Sequence, residues 1–265
     1  MGYQLIEVEQ RGAVGIVRKN RPEKLNAWSL AMAAEERHAV QAFNADPEIS
    51  AIVFCGAGRA YCAGLDLQQQ QTEVKTGEAS RRAGQSARSD DHDETWVDFC
   101  VNSKPIIAAV HGYAVGVGVT TILPFDFRIA GESAQFGFRF VKMGLLPEAA
   151  STTLLPRLIG VGRSLDWCLT GRFVGAREAL EAGLVRDVAP DDELLDRAVA
   201  LGEELGENPT ATMQRVKSLF SQNQLEDDIR LVQQREGEAL EWAMQTPEHA
   251  EAIAAFLEKR PPKFR

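Results

Sequence analysis

The sequence predicts an α/β protein that ends in a helical region. Three observations carry this reading. Residues 51–55 and 105–110 are short, unbroken apolar runs of the kind that form buried strands. Helix-period segments alternate with such runs, the pattern of a sheet with helices packed on it. Residues 196–265 hold few strand signals and many charges, so they read as a helical appendage to a core at 1–195.

Residues 5–9 and 14–18 alternate around Arg11-Gly12, a hairpin signal. Asn20-Arg21-Pro22-Glu23-Lys24 is a loop. Asn26 or Ser29 then caps a helix that runs to about Phe43 and stops at Asp46-Pro47. After the strand at 51–55, Gly56-Ala57-Gly58 turns the chain. Residues 68–95 change character, with four successive glutamines and a dense mixture of Arg, Asp, Glu, Ser and Gly. They fit a mobile loop over a site or a solvated helix surface; a partly helical, mobile segment with solvent-facing His92 is expected. Residues 133–140 read as a strand region. From residue 153 the pattern turns helical and stays so, through Leu154, Leu158, Leu165, Leu169 and residues 179–184. Pro190-Asp191-Asp192 and Asn208-Pro209-Thr210 mark helix starts, and residues 225–244 form one long amphipathic helix. An exposed apolar face on that helix calls for a partner copy.

The bulk numbers exclude several functions. The chain has 265 residues, 45% hydrophobic and 25% charged, enough for a sizeable core. Its 29 basic and 38 acidic side chains give a net charge of −9, which argues against nucleic-acid binding but permits a small anionic ligand on local cations. Cysteines 55, 62, 100 and 168 form no Cys-x-x-Cys pair and read as small buried hydrophobes. Histidines 38, 92, 111 and 249 are scattered, so no metal site is expected. No basic segment followed by an apolar core opens the chain, and a cytoplasmic location is expected. Residues 105–125 lack charge, but their three glycines and two prolines favour a buried strand–turn–helix over a membrane span. The dinucleotide fingerprint, the phosphate loop and the Gly-x-Ser-x-Gly elbow are all absent.

The positive signal lies at residues 104–118. The strand at 105–110 runs into Gly112, Gly116 and Gly118, and Val119-Thr120-Thr121-Ile122-Leu123 reads as the start of a helix. A strand that breaks at glycines before a helix aims free N–H groups at one spot. That spot suits an anion, or an oxygen that becomes one during reaction.

Two segments carry a family likeness. Arg59-Ala60-Tyr61-Cys62-Ala63-Gly64-Leu65-Asp66-Leu67 and Ala109-Val110-His111-Gly112-Tyr113-Ala114-Val115-Gly116-Val117-Gly118 resemble the enoyl-CoA hydratase/isomerase, or crotonase, family. Asn20-Arg21-Pro22-Glu23-Lys24-Leu25-Asn26-Ala27, Ala134-Gln135-Phe136-Gly137, Leu155-Pro156-Arg157-Leu158-Ile159-Gly160 and a tail of Phe256, Lys259, Lys263 and Phe264 match in the same order. The resemblance implies a crotonase-like spiral core of repeated ββα units and a C-terminal helical oligomerisation region. It implies homotrimers or dimers of trimers. It also implies acyl-CoA substrates, with coenzyme A arriving as part of the substrate and no separate cofactor.

In the family two backbone N–H groups hold the thioester oxygen; here they fall on Leu65 and Val117. Each such donor is worth roughly 3–4 kcal/mol in the transition state, and a backbone donor leaves its side chain free to vary. Lys24, Leu25, Ala27, Ala63 and Leu67 fall where the family lines its CoA pocket. Gly116 and Phe140 complete the substrate-facing set. Asp66 joins it or only holds the loop in shape. Lys263, with Lys259, is expected to reach phosphate groups, in the oligomer those of a neighbouring subunit, or else belongs to a solvated basic tail.

The family's hydratases carry two glutamates, at positions that here hold Thr120 and Phe140. Two carboxylates let water be deprotonated and added while a proton is delivered. Threonine and phenylalanine cannot do this. A third acidic position, used by some Δ3,Δ2-enoyl-CoA isomerases, is Glu148 here, in Gly144-Leu145-Leu146-Pro147-Glu148. One carboxylate suffices to move a double bond. Burial among Leu145, Leu146 and Phe140 is expected to raise its pKa. The competing reading of Glu148 is a cap on a helix starting near Ala149. The expected function is therefore a Δ3,Δ2-enoyl-CoA isomerase. The alternatives are a hydratase or another lyase or hydrolase of the family, or an acyl-CoA-binding protein with little catalysis.

Overall fold

A computed structural model describes residues 2–66 and 94–264. The 68–95 segment expected to be mobile, its His92, and Leu67 lie outside the described residues, except for Glu94 and Thr95.

The hairpin forms where the alternation and Gly12 put it. Strands β1 (Ile6–Arg11) and β2 (Val14–Lys19) pair antiparallel, with Ile6 opposite Lys19. From β2 onward the sheet is parallel. It adds β3 (Ala51–Gly56), β4 (Ile106–Val110), β6 (Phe127–Gly131) and β9 (Asp187–Ala189) in the order β1-β2-β3-β4-β6-β9. A second sheet joins three-residue strands β5 (Tyr113–Val115), β7 (Gln135–Gly137) and β8 (Phe173–Gly175). The strand region expected at 133–140 thus shrinks to β7, and Phe140 opens a 3-10 turn. Strands β8 and β9 interrupt a stretch expected to be helical throughout. Three residues show no alternation, so pairing with distant strands decides their state.

The central strands are buried on both faces, which is why they read as continuous apolar runs. Ile52, Phe54, Ile106 and Ala108 face one core with Met32, Val40 and Phe43 of helix α1 (Leu30–Ala45). Val53, Ile107, Ala109 and Ile129 face a second core with Leu194, Ala198 and Leu201 of helix α7 (Leu194–Gly206). A Cβ at Gly202 would stand 2.7 Å from Val14 Cγ2, so α7 presses directly on the sheet. The division expected at 195/196 falls inside this helix.

Ser29 caps α1, accepting from Met32 N at 3.2 Å. Asn26, the other candidate cap, is buried and braces the 57–60 turn instead. Helix α2 (Trp96–Asn102) opens on a Thr95–Asp98 capping box. The helix expected from Val119 is a single turn, α3 (Val117–Thr120). Helices α4 (Ser151–Ile159), α5 (Val161–Thr170) and α6 (Ala176–Ala182) precede β9. After α7 come α8 (Thr210–Asn223), α9 (Ile229–Met244) and α10 (Pro247–Glu258). The long helix expected at 225–244 begins only at Ile229, behind an Asp228 cap. No helix among the described residues is long and apolar enough to cross a membrane.

Candidate active site

Two loops meet at the C-terminal side of the small sheet. Cys62 pairs in parallel with Ala114, through Cys62 N–Tyr113 O and Val115 N–Cys62 O bonds of 2.9 Å each. In a parallel ladder both chains advance together. Three residues beyond the pair lie Leu65 on one chain and Val117 on the other.

Leu65 also bridges Trp28. Trp28 N donates to Gly64 O at 2.7 Å and Asp66 N to Trp28 O at 3.2 Å, which spends the groups on either side of Leu65. Val117 opens α3, where first-turn N–H groups lack helical acceptors. Neither the Leu65 nor the Val117 N–H has a hydrogen-bond acceptor among the described residues. Val117 is buried, and a buried N–H left unpaired is costly unless a ligand satisfies it. Gly118 permits the close approach: a Cβ there would stand 2.4 Å from Cys62 O.

The 21–28 loop brings together Leu25, Ala27 and Ala63, three of the residues expected from sequence to line a CoA pocket. Ala63 N donates to Leu25 O at 3.0 Å, and Ala27 is buried beside them. Asp66 accepts from Arg21 Nη2 at 3.1 Å and Lys24 Nζ at 3.0 Å, so it ties the two loops together. Asn26 Nδ2 donates to Ala57 O at 2.8 Å and Ala60 O at 2.7 Å. Arg21 and Asn26 are thus bracing residues that sequence reasoning missed; the polar loop signal around Asn20 did not say where their side chains reach. Lys263 is exposed, and its N–H donates to Glu251 on α10, not to these loops.

Glu148 lies in the loop before α4 and meets α3 through Thr120. Its Oε1 accepts from the hydroxyl of fully buried Thr120. The capping reading fails, since the N-cap of α4 is Ala150 and no side chain caps that end. Ala149 and Ala150 take φ values of 54° and 58°, a left-handed pair that costs L-residues energy and turns the chain sharply after Glu148. Glu148 is exposed as a residue while its carboxyl meets Thr120; desolvation of that carboxyl raises its pKa and the Thr120 bond lowers it, with a net rise. Leu145 and Leu146, expected from sequence to supply that burial, do not, because they are 41% and 82% exposed. Phe140 is buried, with its ring against Gly116. Unpaired donors beside a raised-pKa carboxyl can hold an enolate and move its proton.

No group of three metal-ligating side chains occurs among the described residues. A separate cavity of about 920 Å³ at the ends of β2, β3 and β4 is lined by Arg18, Arg59, His111 and Asp191, and none of Leu65, Val117 or Glu148 borders it.

A family model described as "Enoyl-CoA hydratase/isomerase" matches residues 9–265. An enoyl-CoA hydratase of Alternaria alternata is 34% identical over 257 residues, spanning 95% of this chain and 83% of its own. The crystal structure of enoyl-CoA hydratase from Bacillus anthracis superposes with a TM-score of 0.87 at 32% identity, covering 98% of this chain and 99% of that one. That of an enoyl-CoA hydratase from Mycobacterium smegmatis gives 0.86 at 28% identity, covering 98% and 99%.

Proposed function

Because this chain belongs to the enoyl-CoA hydratase/isomerase family and has the crotonase fold, we propose that it is a Δ3,Δ2-enoyl-CoA isomerase with Glu148 as its single acid and base. The observation that carries the proposal is the Thr120–Glu148 contact. A carboxyl group from another loop stands beside the position where hydratases carry one glutamate, while the other position holds apolar Phe140.

Glu148 takes the proton from C2 of a 3-enoyl thioester. The C2–H electron pair moves to the thioester oxygen, where the N–H groups of Leu65 and Val117 stabilise the enolate. The electrons then return, the double bond moves to C2–C3, and Glu148 gives its proton to C4. Lys24, Leu25, Ala27, Ala63, Asp66, Gly116 and Phe140 serve as substrate contacts in this reading. Exposed Leu240, Met244, Phe256 and Leu257 on α9 and α10 support assembly into homotrimers or dimers of trimers, where Lys263 would reach a neighbour's CoA.

A second reading, hydration, is favoured by the names of the relatives. Incubation with a 3-enoyl-CoA and, separately, a 2-enoyl-CoA tests both. Conjugation appearing from the first and lost in Glu148→Gln supports the isomerase. Water addition to the second at a comparable rate overturns it. Tight binding without turnover of either points to an acyl-CoA-binding protein.

A further inference from the structure

Thr120 does more than stand where a glutamate is absent. It lies in the single turn α3, fully buried, with its Oγ1 3.3 Å from Gly116 O and in contact with Glu148 Oε1. Gly116 O already accepts from Val119 N and Thr120 N, each at 3.0 Å. The hydroxyl has one proton, and the nearer, charged acceptor is the carboxylate. The other Glu148 oxygen has no hydrogen-bond partner among the described residues.

We propose that Thr120 is a positioning residue whose hydroxyl pins one oxygen of Glu148 and leaves the other to take up and return the substrate proton. This rests on the isomerase reading. The division of labour suits both halves of that reaction. When Oε2 takes the C2 proton, Oε1 becomes carbonyl-like and still accepts from Thr120. When Oε2 returns the proton to C4, Oε1 regains its charge with the same bond in place. No hydrogen bond must break between the two transfers, so the carboxyl need not turn between C2 and C4.

The hydroxyl's effect can be separated from its shape. Thr120→Val keeps the volume and removes the donor; Thr120→Ser keeps the donor. The δ-carbon-13 signal of Glu148, assigned by its loss in Glu148→Gln, is titrated in the full-length protein. Thr120→Val is expected to raise the titration midpoint by about one pH unit, because a bond to the charged form is lost. Thr120→Ser stays near wild type. The acid limb of kcat/KM for a 3-enoyl-CoA moves with the carboxyl, and plateau kcat in Thr120→Val falls about tenfold through lost orientation. An unmoved midpoint in Thr120→Val, or one shifted equally by Thr120→Ser, overturns the proposal. Thr120→Ala makes the same measurement should the valine variant fail to fold. A wild-type protein that does not isomerise defeats the functional reading instead, and the carboxyl titration still decides the contact.

Discussion

The ring of Phe140 lies against Gly116: a Cβ on that glycine would stand 4.0 Å from Phe140 Cε1. An apolar ring therefore borders the turn that leads into the Val117 donor. Phe140→Glu adds a second carboxyl beside that turn. Hydration of a 2-enoyl-CoA is expected to rise at least about tenfold, since paired acid and base groups typically contribute 10²–10⁴-fold. Isomerisation should fall as water gains a base. Side-by-side assays of both substrates check this, and an unchanged hydration rate would count against the placement of Phe140.

With Glu148 as the proposed base, its titration predicts the pH dependence. Its folded-state pKa is raised by burial against the opposing Thr120 bond. Between the ordinary glutamate value of about 4.3 and the raised value, the folded protein holds a proton that the unfolded chain releases. Stability contributed by this group therefore falls as pH rises through that window, while the base form accumulates. The expected result is a kcat/KM acid limb above the ordinary glutamate range. In urea unfolding across the same pH series, Glu148→Gln should flatten that part of the slope.

Gly118→Ala tests the meeting of the two loops. The new Cβ would lie 2.4 Å from Cys62 O and 2.9 Å from Cys62 Sγ, so the 60–65 segment must move away from α3. The N–H groups of Leu65 and Val117 then no longer converge. We expect kcat to drop about 10²–10³-fold, the scale of losing one oxyanion donor. Circular dichroism and gel filtration should show the fold retained.

Away from the site, Lys19 donates to Glu36 in the interior, with side chains 3% and 5% exposed, and its ammonium lies 5.4 Å from the Tyr61 ring centroid. Glu36→Leu leaves a buried charge without its counter-ion. That costs about 3–5 kcal/mol and should lower Tm by roughly 10 °C. Lys19→Met with Glu36→Leu should recover most of the loss in a thermal melt.

The signals that worked from sequence were local. The β1–β2 hairpin, the strands at 51–56 and 106–110, and the Ser29-capped helix are each explained by residues within one element or two adjacent in sequence. The glycine run likewise predicts, from its own residues, the unpaired N–H group at Val117. What could not be read depends on distance. Strands β8 and β9 are three residues long and exist because β7 and β6 pair with them. Phe140 leaves strand geometry because the chain must turn there into the loop carrying Glu148. The Thr120–Glu148 contact joins residues 28 apart, and nothing in either segment's composition announces it. The role of Asp66 likewise depends on distance, since Arg21 and Lys24 converge on it from 45 and 42 residues away.

Helix α7, pressed on the sheet at Gly202, limits how this chain can be divided. A fragment ending at residue 195 would lose nearly all of α7 and uncover Val14, Ile16, Val53, Ile107 and Ile129 together. That is a continuous apolar sheet face, of the sort that drives aggregation rather than independent folding. The smallest autonomous unit on the N-terminal side must therefore extend at least through Gly206. Helix α7 is therefore a wall of the core, inseparable from the sheet it covers.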